Sequence, residues 1–135
     1  MSAPKLVVNV DGGARGNPGL AAIAAVASDP EGAVIEERSE AIGVATNNVA
    51  EYRAMLLGIQ LAKDLGADEV QLIGDSELIA KQVSGEYKVN QDHLRPLRTK
   101  VIDALRDLEK WSITTVRREQ NDRADELVND VLDAA

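Results

Sequence analysis

The chain has 135 residues, 44% hydrophobic and 28% charged, with a formal net charge of −8, which suits one globular domain, residues 1–135, with a core of its own. It has no cysteine and no phenylalanine, which excludes disulfides, thiolate metal sites and cysteine nucleophiles and leaves the core to Leu, Ile, Val and Ala. No stretch approaches the ~18 apolar residues of a membrane span, and Met1-Ser2-Ala3-Pro4-Lys5 carries no apolar signal region, so the expectation is a cytoplasmic protein with no membrane partner.

Leu6 to Val10 is an apolar stretch running into Asp11. Period-2 alternation places Asp11 on the face of Val7 and Asn9. The glycines and proline of Gly12-Gly13-Ala14-Arg15-Gly16-Asn17-Pro18-Gly19 predict that the strand stops at the acid. Leu20 to Ala27 and Ala33 to Gly43 follow as apolar runs across the turn Asp29-Pro30-Glu31-Gly32, which predicts an antiparallel meander of three strands. From Asn48 the period becomes helical, with Ala50, Ala54, Leu57, Leu61 and Tyr52, Met55, Ile59, Ala62 as adjoining stripes up to Gly66.

Glu69 to Gly74 reads as a fourth strand ending at Asp75, followed by a short helix from Ser76 to Val83 stopped at Gly85. Strand, helix, strand order predicts a parallel crossover. Asp92 to Lys110 is an amphipathic helix with Pro96 in its first turns, Ser112 to Val116 the fifth strand, and a last helix from about Asp122 turns Ala124, Leu127, Val128, Val131 and Leu132 inward. Basic residues gather between Lys81 and Lys100 and again at Arg117, Arg118 and Arg123. Such runs are either solvated charge or a local surface for phosphates in an otherwise acidic chain.

Four acids stand at comparable places, and each has a local explanation. Asp11 can begin a turn, Glu51 can close a capping box with Asn48, Asp75 can cap the helix after it, and Asp125 sits three residues after Asp122 at another helix start. Together they form a different pattern: two acids at strand ends and two in first helical turns at the same edge of a sheet. Four carboxylates converging there would repel one another unless a hard divalent cation such as Mg²⁺ met them with its preference for oxygen ligands. Two such ions about 3.5–4 Å apart clamp the attacking and leaving oxygens of a phosphodiester.

Asp11-Gly-Gly-Ala-Arg-Gly-Asn17-Pro-Gly, Thr46-Asn47-Asn48-Val-Ala-Glu51-Tyr, Gly74-Asp75-Ser76-Glu77-Leu, Gln82-Val-Ser-Gly-Glu-Tyr-Lys and Arg118-Glu-Gln-Asn121-Asp-Arg-Ala-Asp125-Glu-Leu resemble, in order, the motifs of type 1 ribonuclease H. The resemblance covers nearly the whole chain. It implies an α/β, ribonuclease H-like fold, with a five-stranded mixed sheet (three antiparallel strands, then two parallel) flanked by helices. It also implies Mg²⁺-dependent hydrolysis of the RNA strand of RNA–DNA hybrids by a monomer, with two ions, Mn²⁺ as a substitute, and 5′-phosphate and 3′-hydroxyl ends.

Asp11, Glu51, Asp75 and Asp125 match the family's metal-binding carboxylates. Asn17, Asn47, Asn48 and Glu77 match positions that contact the hybrid, and Thr46 resembles the residue that holds a DNA-strand phosphate. Two departures stand out. The segment Val116 to Asn121 is short and has no histidine where many bacterial members carry a mobile His loop; Arg118 resembles the arginine found there in shorter, archaeal-like members and is the candidate to assist catalysis. The sole histidine, His93, reads as a surface residue. The Trp- and Lys-rich protrusion is also absent, a feature shared with members that accept double-stranded RNA, which makes duplex RNA a second candidate partner.

Other classes fit less well. A nucleotide-binding glycine loop would need a helix after it, and the residues from Leu20 read as strand. A binding-only module would be expected to have lost one of the four acids, and another nuclease on the same fold is disfavoured by the Asn47-Asn48-x-x-Glu51 and Gly74-Asp75-Ser76 motifs.

Overall fold

The computed structural model describes residues 4–135; Met1 to Ala3, the start of the segment read as lacking a signal region, lie outside the described residues. Strands β1 (Lys5–Gly16), β2 (Gly19–Ser28) and β3 (Val34–Ala45) are followed by helix α1 (Asn47–Asp64), strand β4 (Glu69–Gly74), helix α2 (Glu77–Ser84), helix α3 (Arg95–Arg106), strand β5 (Lys110–Thr115) and helix α4 (Asp122–Asp133). The strands form one sheet in the order β3-β2-β1-β4-β5. β1 to β3 pair antiparallel, and β4 lies parallel to β1 and to β5, as the strand patterning and the family resemblance imply. Among the described residues no helix is long and apolar enough to cross a membrane.

The alternation of β1 sorts its two faces. Leu6, Val8 and Val10 are buried under α1, together with Ala21, Ile23 and Ala25 of β2. The other face of β2, Ala22 and Ala24, packs against Val128 and Leu132 of α4. β2 is covered on both sides, which is why it reads as an unbroken small-residue run and not as an alternating one. Gly58 lets α1 settle on β1, because a Cβ there would lie 2.5 Å from a methyl of Val10 and 3.0 Å from one of Val8.

Several expected boundaries move. β1 does not stop at Asp11 but continues to Gly16, with Asp11 opposite Ala24, Gly12 opposite Ile23 and Gly13 opposite Ala22. Glycine keeps both of its backbone hydrogen-bonding groups, so a partner strand on one side suffices to hold it extended. What does end near the acid is the pairing with β4, whose register stops at Asn9 opposite Ile73. Asp11 thus lies where β1 has lost one neighbour, beside the C-terminal end of β4 and the Asp75 that follows it. The α3 region is also shorter than the amphipathic pattern: Asp92–Leu94 is a 3₁₀ turn, Arg95–Arg106 is the helix, and Lys110 already belongs to β5 opposite Glu69. Pro96 sits in the first turn of α3, where its missing N–H costs nothing.

The helix starts correct three local readings. The N-cap of α1 is Thr46, whose hydroxyl accepts from Val49 N at 3.2 Å, so Asn48 is inside the helix and forms no capping box with Glu51. Ser76, not Asp75, caps α2 by accepting from Ile79 N at 3.3 Å. At α4 no side chain caps the helix: Asn121 turns inward instead.

Candidate active site

Glu51 is brought to β1 by the close approach of α1. A Cβ on Gly12 would run into the carbonyl of Ala50, so glycine is required where helix and strand meet, and the bare backbone N–H of Gly12 donates to Glu51 Oε1 at 3.1 Å. Asp11 comes from β1, only 6% exposed, and Asp75 from the end of β4. One carboxylate oxygen from each of Asp11, Glu51 and Asp75 lies within 4.8 Å of the others. Asp125, in the first turn of α4, lines the same cavity as the other three and lies near enough for its charge to raise Asp11. Its Oδ1 is held by Arg118 Nη2 at 3.0 Å.

An open cavity of about 550 Å³ contains all four acids together with Arg118, Asn47, Asn48 and Asn129. Burial, followed by the nearby charges of Asp75 and Asp125, pushes Asp11 up to about 7. Burial, then the charges of Asp11 and Asp75, holds Glu51 well above the usual carboxylate range, against the opposing hydrogen bond from Gly12. Asp75 is raised as well, chiefly by burial, while Arg118 works the other way. None of Asp11, Glu51 and Asp75 has a Lys or Arg salt-bridge partner among the described residues, whereas Asp125 has Arg118. An all-oxygen, excess-negative donor set of this kind fits a hard divalent cation and not a soft metal.

The expected substrate contacts divide. Asn47 Oδ1 accepts from Ala14 N at 2.9 Å, and Asn17 Oδ1 accepts from Asn47 N at 3.1 Å. Their carbonyl oxygens are thus spent on joining the β1–β2 turn to α1, and their amide NH₂ groups are left as donors. Asn48 lines the acidic cavity and a second one beside α2. Thr46 lies at the α1 cap outside the acidic cavity. Glu77 is exposed and ion-paired to Lys81 at 2.7 Å, so the structure does not bring it into the cavity. His93 is exposed on the 3₁₀ turn before α3.

Sequence reasoning passed over Asn9 and Asn121 as site residues. Asn121, 1% exposed, donates to Val10 O at 2.8 Å and accepts from Asn9 Nδ2 at 3.0 Å, while its own carbonyl takes the N–H of Asp125. This ties the start of α4 to the residue next to Asp11 and sets the spacing of the two acids. Asn9 shares the Asp11 face in the alternation, which was the available signal.

The family model described as reverse transcriptase-like matches residues 9–131. Ribonuclease HI of Halobacterium salinarum is 43% identical over 125 residues, 93% of this chain and 63% of that protein, so the chain spans less than two thirds of that relative's length. The crystal structure of ribonuclease H1 from the same archaeon superposes with a TM-score of 0.95 at 41% identity, covering 97% of this chain and 99% of that one. The chain belongs to the type 1 ribonuclease H family. A further ribonuclease H1, LC11, solved in complex with an RNA/DNA hybrid, matches with a TM-score of 0.91 at 38% identity over 96% of this chain and 97% of that one. For a ribonuclease H the short connection between β5 and α4 is the distinctive feature here: a 3₁₀ turn, Arg118–Gln120, presents an arginine to the carboxylates.

Proposed function

We propose that this chain is a divalent-metal-dependent endonuclease that hydrolyses the RNA strand of RNA–DNA hybrids. The observation that carries the reading is the convergence of Asp11, Glu51 and Asp75 within 4.8 Å, with no cationic side chain paired to any of the three among the described residues. Family membership and the hybrid-bound relative support the choice of substrate. Asp11, Glu51, Asp75 and Asp125 would hold two Mg²⁺ ions, with Mn²⁺ as a substitute. When bound, the ions supply charge stabilisation to the phosphodiester and lower the pKa of a water molecule.

The remaining work falls to the protein. Gly12 N–H orients Glu51, and Asn121 fixes α4 so that Asp125 faces Asp11. The free amides of Asn17, Asn47 and Asn48 are donors suited to ribose hydroxyls and strand oxygens, since a 2′-OH both donates and accepts. Thr46 is assigned to a DNA-strand phosphate, and Glu77 to the hybrid beyond the cavity once Lys81 is released to a phosphate. Arg118, 73% exposed and paired to Asp125, is assigned to assist the reacting phosphate or the leaving oxygen. Water adds at phosphorus and the bond to the 3′-oxygen breaks with proton transfer to that oxygen, leaving 5′-phosphate and 3′-hydroxyl ends. A single domain over residues 1–135, acting as a monomer in the cytoplasm, completes the proposal.

The test is incubation of matched RNA–DNA hybrid, duplex RNA and duplex DNA with Mg²⁺, Mn²⁺ or EDTA. Internal cuts in the RNA of the hybrid that vanish in EDTA support the reading. Equal cutting of duplex DNA, or undiminished cutting in EDTA, rejects it. The duplex RNA arm decides whether that second partner is accepted.

A further inference from the structure

The four carboxylates do not face a cation on equal terms. Asp11, Glu51 and Asp75 present converging oxygens with no cationic partner among the described residues, whereas Asp125 Oδ1 already carries the guanidinium of Arg118 at 3.0 Å. Its other oxygen is approached at 3.4 Å by the amide of Asn129, one helical turn further along α4. Asp125 is thus the one acid of the set in direct contact with a cation among the described residues, while the charge of Arg118 reaches Asp75 and Asp11 only from further off.

We propose that Arg118 is a tethered counter-cation that makes metal loading sequential: the first divalent ion enters at Asp11, Glu51 and Asp75, and an ion at Asp125 binds only as the guanidinium leaves. This inference rests on the metal-site reading above and assigns Arg118 a role before substrate arrives. The tether is short and anchored. Arg118 begins a 3₁₀ turn that closes on Asn121, whose backbone N–H donates to Arg118 O at 2.9 Å and whose side chain is pinned to Val10 O. The arginine therefore stays beside the cleft after it lets go. The neighbouring Arg117 does not occupy this place: its guanidinium stands 3.9 Å from Glu119 and it does not line the cavity.

The contact delays an ion without blocking it. The Arg118 side chain is 73% exposed and that of Asp125 is 26% exposed. A solvated guanidinium–carboxylate pair shifts an equilibrium by about 1.4- to 5-fold, which a divalent ion at millimolar concentration overcomes. Once displaced from Asp125, the guanidinium remains on the cavity that the acids line, where a substrate phosphate can take it up. One residue thereby couples occupancy of the Asp125 side to readiness for an anionic substrate.

The test is Mn²⁺ titration of the substrate-free protein, followed by calorimetry and by the electron paramagnetic resonance signal of unbound Mn²⁺. Wild type is expected to bind in two steps, the weaker of which disappears in Asp125→Asn. Arg118→Met should strengthen the weaker step by about 1.4- to 5-fold and the tighter one by less, since Arg118 touches Asp125 and reaches Asp11 and Asp75 only from further off. In the Asp125→Asn background, Arg118→Met should move the remaining step no more than it moves the tighter step of wild type. Arg117→Met removes the same charge from the adjacent position and should leave both steps as in wild type. The inference is overturned if Arg118→Met strengthens both steps alike, if it moves the remaining step of Asp125→Asn as much as it moves the weaker step of wild type, if Arg117→Met reproduces it, or if the isotherm does not move. A wild-type protein that takes up no Mn²⁺ overturns the metal-site reading together with this one. A wild type that binds Mn²⁺ and cuts hybrids, with an unmoved Arg118→Met isotherm, overturns this one alone.

Discussion

Gly12 and Glu51 are joined by a hydrogen bond of 3.1 Å from a backbone N–H to a carboxylate oxygen, made where the lack of a side chain on the strand lets the helix carbonyl of Ala50 come close. The missing Cβ provides the space for α1, and the close approach lets the strand N–H reach its acid, so packing and site geometry meet at one residue.

Gly12→Ala should therefore damage both. The added methyl meets backbone and not a movable side chain, and overpacking of this kind costs about 1–3 kcal/mol. A lowered melting temperature with hybrid cleavage reduced at temperatures where the protein is still folded is the expected result. Wild-type activity and melting would show that α1 does not need this approach.

Asp75→Asn separates a metal site from an ordinary helix start. Ser76 supplies the cap of α2, so the substitution leaves that hydrogen bond intact. With one charge removed from the cluster, the metal-free protein should melt higher than wild type at neutral pH. The Mg²⁺-induced rise should shrink, since stabilisation follows RT ln(1 + [L]/Kd) and weaker binding reduces it. Cleavage should be lost. An unaltered Mg²⁺ shift together with surviving activity would remove Asp75 from the site.

The acidic cluster gives metal-free stability a definite pH dependence. Asp11 is raised from an ordinary value near 3.8 to about 7, and Glu51 and Asp75 are raised as well. A raised folded-state pKa means that the native protein holds protons the unfolded chain releases, so the contribution is fully present below about pH 4 and is lost as pH climbs through about 7. In EDTA, this part of the stability should fall between pH 5 and pH 8. The increment from added Mg²⁺ should grow over the same range, because ligands must be deprotonated to bind. Thermal melts in paired EDTA and Mg²⁺ buffers check both signs; an Mg²⁺ increment that shrinks with rising pH would contradict the cluster.

The cap of α1 belongs to Thr46 and not to Asn48. Thr46→Ala should cost about 0.5–2 kcal/mol of stability through loss of the cap, whereas Asn48→Ala should leave the cap intact and weaken discrimination between ribose and deoxyribose. Melting temperature and hybrid-against-DNA cleavage measured on the same samples distinguish the two. A larger stability loss in Asn48→Ala than in Thr46→Ala would reverse the assignment.

The order and type of the strands and α-helices of the described residues were legible from residue patterns, because most elements have a solvent face and a core face and carry the corresponding period, while β2, covered on both sides, shows as an apolar run between turn residues. The motifs around Asp11, Glu51, Asp75 and Asp125 were legible as a set, since chemistry of this kind demands acids at those places. Tertiary contacts decided the rest. Whether β1 stops at its glycines depends on β2 standing opposite them, and which residue caps α1 depends on which side chain meets the free N–H of Val49, here the hydroxyl of Thr46. Asn121 carries no local signal of its role, since its amide satisfies a strand carbonyl 111 residues away in the chain. The pairing of Arg118 with Asp125, and the exclusion of Glu77 from the cavity by Lys81, likewise depend on distances in space. Local periodicity reports which face of an element is buried; only the assembled fold determines what each polar group finds there.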